Sequence, residues 1–366
     1  MPRILDSLDA AVGRTPSELS DSIDYRTMAE SPESLIGPDG RYQAGWYPRF
    51  DGDFNFADSQ ALQQAFQAWI HLTLDTPEHF VVLNLANLGK AGQTALLVAN
   101  KATGRFHHAA ETRMFTRNRV QLHPPFLRFR DRSTHSMIAT DQDHDRWSFS
   151  LHAEDLHLVG TARRVGGPPF CQVTRFHRMR GSLQRFGNIM IEEALLSIGT
   201  QVISIPAGTL GTFDHTVGHQ RGLQNWNWVA AVGRATCEDD GSTSILGVQV
   251  ARDRVKARPV VYACKYVVWV DGTLHKLPSA RFDYDYINAA EKTTGPWHIR
   301  SEAQGDRWLD LVFEPRFHRR ERKSVVLVDA DFNQYYGSLD GRVHLDGRTW
   351  LVQDYFAVCE ESLLEL

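Results

Sequence analysis

Hydrophobic and polar residues alternate with a period of two along most of the chain. Ile70, Leu72 and Leu74 alternate with His71 and Thr73, and HFVVLNLANL (79–88) and TALLVAN (94–100) follow, with Lys90-Ala91-Gly92 between them. Successive side chains of a strand point to opposite faces, so RWSFSLHAED (146–155) places Trp147, Phe149 and Leu151 on one face. SILGVQVAR (244–252), VVYACKYVVWV (260–270), RWLDLVFEP (307–315), KSVVLVDAD (323–331) and RTWLVQDYF (348–356) also read as strands. Asp240-Gly241, Asp271-Gly272, Asp340-Gly341 and Asp346-Gly347 stand between or near them. Asp-Gly signals a hairpin because both central residues of a tight turn take positive φ. Many short antiparallel strands with regular turns predict a sandwich or an up-and-down barrel.

Helical spacing is confined to two places. In SQALQQAFQA (59–68), Leu62, Phe66 and Trp69 follow Ser59 as an N-cap, and a short helix is expected near Pro16–Leu19. The rest of residues 1–55 reads as an extended leader rich in Ser, Pro, Gly and Asp. Two strand-rich units follow, 56–204 and 205–366, joined near IPAGTLG (205–211).

Composition narrows the classes. The chain has 366 residues, 42% of them hydrophobic and 23% charged, enough to bury a sizeable core. Its net charge of −4 leaves no basic excess to neutralise phosphates, so nucleic acid is not expected as a main partner. No apolar run of about 18 residues is present, so no membrane span is expected. There is no secretory h-region at the N-terminus. The four cysteines (Cys171, Cys237, Cys264 and Cys359) are scattered without a Cys-x-x-Cys. Both features predict a cytoplasmic protein with reduced thiols. The absence of G-x-G-x-x-G, a Walker loop or strand–helix alternation argues against a nucleotide-binding α/β fold, and no organic cofactor is expected.

The chemistry concentrates in GTFDHTVGHQRGLQNWNWVAAVG (211–233). A carboxyl desolvated against indoles has its pKa raised and stays protonated near neutrality, which is what protonation of an alkene requires. Asp214 is therefore a candidate acid, with a turn carboxylate as the alternative. His215 and His219 are candidates to orient it, relay its proton or position a water. Their spacing of four suits a metal only on a helix, and Gly218, Gly222 and the strand that follows argue against one, so no metal is expected. Trp226 and Trp228 share one face of that strand, with Asn227 on the other; the indoles either wall an apolar pocket or pack a core. Gln249 interrupts GVQVA. Phe282-Asp283-Tyr284-Asp285-Tyr286 alternates aromatic and acid, and Gln334 shares a face with Tyr336. Asn227, Gln249, Tyr284, Gln334 and Tyr336 are candidate ligand-orienting groups. RFHRRERK (316–323) reads as a solvated edge strand protected by charge.

These residues also carry a likeness. Asp214, followed twelve to fourteen residues on by Trp226, Asn227 and Trp228, resembles the pattern of the bacterial family known as domain of unknown function 2804. Phe282-Asp283-Tyr284-Asp285, Pro296-Trp297, Asp310-Leu311 with Phe313 and Pro315, Gln334 with Tyr336-Gly337, and Glu360 match in order. The first half matches around Trp69 to Leu88 and at Glu193. The family's glycine and arginine after the aspartate fall on Thr216 and Val217 here, while Gly218 fits; an arginine partner in relatives is replaced by His215 or Arg221, or the chemistry differs. The resemblance extends to the lipocalin-like group of carotenoid 1,2-hydratases and tocopherol-cyclase-type proteins. It implies two tandem lipocalin-like antiparallel β-barrel domains with few short helices, and a hydrophobic isoprenoid-like or polyketide-like ligand.

The expected function is cofactor-independent, proton-initiated hydration, dehydration, isomerisation or cyclisation of a bulky apolar small molecule. The alternative is a non-catalytic carrier or sensor of such a ligand. A carbohydrate-active sandwich is a third reading; it would show two carboxylates about 5–10 Å apart across an open cleft. Thiol titration of the unfolded, unreduced chain should find four free cysteines; a disulfide would argue for an exported protein.

Overall fold

The computed structural model describes residues 29–54, 66–89, 91–114, 120–123, 128–131, 134–141, 143–177, 180–219, 223–253, 265–301, 305–325 and 328–365. No helix occurs among them. The first sheet contains β1 (Gly45–Tyr47), β2 (Phe66–Asp75), β3 (His79–Asn87), β4 (Ala91–Asn100), β5 (Phe106–Met114), β6 (Val120–His123), β7 (Arg128–Asp131), β8 (Ser136–Thr140), β9 (Arg146–Ala153), β10 (Leu156–His177), β11 (Arg180–Ile198), β12 (Gln201–Ile205) and β13 (Leu210–His219). Its order is β5-β4-β3-β2-β13-β11-β10-β9-β8-β7-β6, with β1 beside β10 and β12 beside β11. The second contains β14 (Leu223–Cys237), β15 (Thr243–Asp253), β16 (Lys265–Val270), β17 (Thr273–Lys276), β18 (Arg281–Asp283), β21 (Trp297–Arg300), β22 (Arg307–Val325), β23 (Val328–Leu345) and β24 (Arg348–Glu365), in the order β17-β16-β15-β14-β24-β23-β22-β21-β18. β19 (Tyr286–Asn288) and β20 (Thr293–Thr294) form a separate pair. Both sheets are antiparallel and curl into half-barrels, as two tandem lipocalin-like β domains do. β13 lies between β2 and β11, so the first sheet extends past residue 204 and the chain enters the second only at Leu223.

Most expected strands form, with three differences. Phe66 and Trp69, expected on a helix, lie in β2, where pairing to β3 and β13 overrides their helical spacing. Leu62, the Pro16–Leu19 segment and Cys264 lie outside the described residues; Cys171, Cys237 and Cys359 are buried and free. Residues 323–331 are not one strand: the chain reverses there, and Val325 pairs with Val328. Asp271-Gly272 and Asp346-Gly347 take the positive φ of hairpin turns, and Gly241 does likewise. Asp340-Gly341 instead makes a bulge inside β23, and Asp340 Oδ1 accepts the Asp354 N–H at 2.7 Å.

The core has three layers. The concave face of the first sheet buries Ile70, Leu72, Leu83, Leu96, Val98, Trp147 and Phe149. That of the second buries Val248, Val250, Val268, Trp297, Leu311 and Trp350. The convex faces then pack against each other: Phe80, Val82, Leu97 and Ala99 meet Trp228, Tyr336, Phe356 and Val358. Beside them Phe170 and Phe186 meet Val267 and Trp269. Strands buried on both faces read as continuous apolar runs rather than alternating ones. That explains Phe80-Val81-Val82-Leu83, Ala95-Leu96-Leu97-Val98-Ala99 and Tyr266-Val267-Val268-Trp269-Val270. The sheets approach closely at Gly247, where a Cβ would meet the Asn188 side chain at 2.3 Å.

Phe80 is 1% exposed and touches the rings of Tyr336 and Phe356 at 6.1 and 4.9 Å between centroids. Phe80→Ala should lower stability by about 3–5 kcal/mol in denaturant titration. An unchanged midpoint would contradict the tight packing of the two convex faces.

Candidate active site between the sheets

β2 and β13 pair so that Asp214 lies opposite His71 and Thr216 opposite Trp69. Alternation points Ile70, Leu72, Phe213 and Val217 into the first core and these four toward the second sheet. Trp69 Nε1 donates to Asp214 Oδ2 at 3.0 Å, and Thr216 Oγ1 donates to Oδ1 at 2.8 Å. Asp214 keeps a little accessible surface, but burial dominates its chemistry. Desolvation pushes its pKa up to about 6, against the two hydrogen bonds and the charge of Lys265.

The second sheet supplies another carboxyl. Glu360 on β24 pairs with Trp228 on β14 and with Gln334 on β23. Trp226 Nε1 donates to Glu360 Oε2 at 2.9 Å and Gln334 Nε2 to Oε1 at 2.7 Å. Gln334 Oε1 in turn accepts from Arg319 Nη1 at 2.7 Å and from the Tyr336 hydroxyl at 2.8 Å. Burial pushes the Glu360 pKa up to about 7; its two donors and Arg319 lower it, and the charge of Asp214 raises it further. Two carboxyls that sense each other titrate as a pair.

His71 completes the arrangement. Its ring meets Trp228 edge-on at 5.3 Å. Burial first, and then Arg319, push its pKa down to about 3, so it is a neutral imidazole at pH 7. Among the described residues neither ring nitrogen has a hydrogen-bond partner, and the same holds for Trp228 Nε1, Gln249 Oε1 and both amide atoms of Asn188. Buried polar atoms without partners are rare in native structures.

The expected site residues divide among three places. Asp214, Trp226, Trp228, Gln334 and Tyr336 come together in the layer. Gln249 is there too, its Nε2 donating across the sheets to the carbonyls of Gly187 and Phe213 at 3.0 and 3.2 Å. Asn227 and Tyr284 face the second half-barrel: Asn227 Nδ2 donates to the Tyr284 hydroxyl at 3.1 Å, and that ring stacks on Trp297 at 3.9 Å. His215 and His219 point from the opposite face of β13 into the first half-barrel. His215 Nδ1 bonds His144 Nε2 at 2.8 Å, and His219 Nδ1 bonds the Tyr42 hydroxyl at 2.8 Å. Neither reaches Asp214, because neighbouring residues of a strand face apart. Arg221 lies outside the described residues.

Trp69, His71, Lys265, Arg319 and Glu360 were not singled out from sequence as site residues. A signal for the first two was present: an indole and an imidazole alternate with Ile70 and Leu72 on a face that a lone barrel would give to water. Arg319 corrects the solvated reading of residues 316–323. A bulge between Pro315 and Phe317 shifts the alternation, so Phe317 and Arg319 turn into the layer, and Arg319 is 8% exposed. A cavity of about 250 Å³ opens elsewhere, at the first half-barrel, with Phe50, His144, Cys171 and Arg185 in its wall. Among the described residues no group of three His, Cys, Asp or Glu side chains is placed to hold a metal, and no helix is long and apolar enough to cross a membrane.

Comparison with known proteins fits this architecture. The model of the family described as domain of unknown function (DUF2804) matches residues 26–364, so the chain belongs to that family. The crystal structure of kievitone hydratase from Nectria haematococca is similar at 12% identity, with a TM-score of 0.50, over 91% of this chain and 97% of that one. That of CghA with Sch210972 is similar at 10% identity, with a TM-score of 0.49, over 81% and 88%. At such identity the likeness to the hydratase shows a shared fold. No curated protein matches the chain in sequence.

Both carboxyls titrate higher in the folded chain than in the unfolded one. Their stabilising contribution is therefore complete below the ordinary carboxyl range and is lost as pH rises through about 6 and 7. Glu360→Gln removes one of these groups. Its stability relative to the parent chain should rise by roughly 2 kcal/mol between pH 5 and pH 8. Any misfit of the amide against two donors adds a pH-independent offset only. A flat difference would mean that Glu360 is not held above its ordinary range.

Proposed function

We propose that this DUF2804 member is a cofactor-independent enzyme that protonates a bulky apolar small molecule, isoprenoid- or polyketide-like, in the layer between its two sheets. The carrying observation is the pair Asp214 and Glu360, both pushed toward neutrality by burial and each gripped by an indole N–H. At pH 7 the pair holds both a proton to give and a carboxylate to receive one. Groups whose surroundings separate their pKa values divide acid and base roles in this way. Glu360, with the higher value, donates its proton to an alkene carbon, and the π bond becomes a C–H bond and a carbocation. The faces of Trp226 and Trp228 stabilise that cation. Asp214 then takes a proton, from attacking water in hydration or from a neighbouring carbon in isomerisation or cyclisation. Neutral His71 offers its ring nitrogens to position the water. Hydration is a reaction class this arrangement suits, and the related fold with the name hydratase supports that reading.

One observation favours the alternative of a carrier or sensor. The 250 Å³ cavity lies away from both raised carboxyls. Binding there would need no acid.

Incubation in D₂O with a panel of terpenoid and prenylated-phenol alkenes separates the two. Turnover by protonation places deuterium on carbon, which mass spectrometry reads. Asp214→Asn keeps the local bonds, its oxygen accepting from Trp69 and its amide donating to Thr216. This variant and Glu360→Gln should each slow deuteration by about 10²–10⁴, the span of general acid–base catalysis. His215→Gln, on the far face of β13, should leave the rate close to that of the parent chain. Normal rates in both carboxyl variants would remove the acid–base reading. A co-purified lipophile in native mass spectra, with no deuteration of it, would establish the carrier.

A further inference from the structure

The cavity of the first half-barrel is ringed by arginines, and one of them differs from the others. Arg49 at the rim is matched by Asp51 and by Asp143, the latter at 2.9 Å. Arg164 is matched by Asp145. Arg185 comes from the middle of β11, between Cys171 of β10 and His215 of β13, and is 4% exposed. It has no carboxylate at ion-pairing distance among the described residues, and its Nη1 has no hydrogen-bond partner. Its guanidinium lies over the Phe54 ring at 5.2 Å and bonds the Cys171 thiol.

A guanidinium does not lose its proton in a protein. Burial pushes the Arg185 pKa down, against the Cys171 thiol and the more distant charge of Asp51, and a buried charge with no carboxylate in contact with it is strongly destabilising. The cavity beside it has a volume of about 250 Å³. Phe50, Pro168 and Pro169 supply apolar wall, and His144, backed by His215, supplies a polar one. The planar fork of a guanidinium fits a carboxylate through two parallel hydrogen bonds. We infer that the first half-barrel binds a small organic acid, its carboxylate on Arg185 and its apolar body against Phe50 and the two prolines. This site is separate from the layer that holds Asp214 and Glu360 and does not depend on the reaction proposed there.

Benzoate, its neutral isostere benzamide and inorganic phosphate test the inference by calorimetric titration of the full chain. Benzoate should bind saturably, about tenfold or more tighter than benzamide or phosphate, since a site built for one polar group rejects an analogue that leaves it unpaired. Arg185→Met should abolish that preference, and Arg185→Lys, which keeps charge but loses the fork, should weaken it. Equal binding of benzamide, tighter binding of phosphate, unchanged binding to Arg185→Met or no saturable binding of benzoate would each overturn the inference. If the variants do not fold, ¹⁵N spectra of the parent chain decide. A buried guanidinium resonance that shifts with benzoate and not with benzamide supports the site, and no shift overturns it.

Discussion

The architecture depends on the burial of the convex face of each sheet against the convex face of the other. A half-barrel alone protects only its concave face. Here Phe80, Val82 and Leu97 of the first sheet find Trp228, Tyr336 and Phe356 of the second. Each fully buried side chain of this kind contributes about 1.5–3 kcal/mol. The contact also decides which polar residues lose water, and the candidate chemistry follows from that loss.

Asp214 and Glu360 come from different sheets and meet only because the sheets pack. In the layer, desolvation outweighs the hydrogen bonds that favour their charged forms, and their pKa values rise to about 6 and 7. The same desolvation acts in the opposite direction on His71, whose charged form is the cation, and keeps it neutral. One physical cause thus raises both carboxyls toward neutrality and leaves the imidazole uncharged.

Strand alternation separates two kinds of chemistry by a single residue. Asp214 turns to the layer, while His215 turns to the interior of the first half-barrel, one hydrogen bond from the cavity wall at His144. β13 therefore forms the partition between a carboxyl-rich layer and an arginine-lined cavity. Asp214 and His215, adjacent in sequence, thus face different surroundings.

Period-two patterning and the turns at Gly241, Asp271-Gly272 and Asp346-Gly347 determined an antiparallel β fold without further help, because alternation and positive φ are local properties. The spacing of Asp214 to Trp226 and Trp228 likewise carried the family likeness. Local pattern did not determine register or partner. Asp340-Gly341 became a bulge rather than a turn, and the bulge beside Phe317 moved Arg319 from water into the layer. The charge of Asp214 acting on Glu360, 146 positions apart, was decided only by the tertiary structure. A period of two states that a residue lies on one of two faces, but which face meets another sheet, and so which carboxyl is desolvated, depends on surfaces remote in the chain.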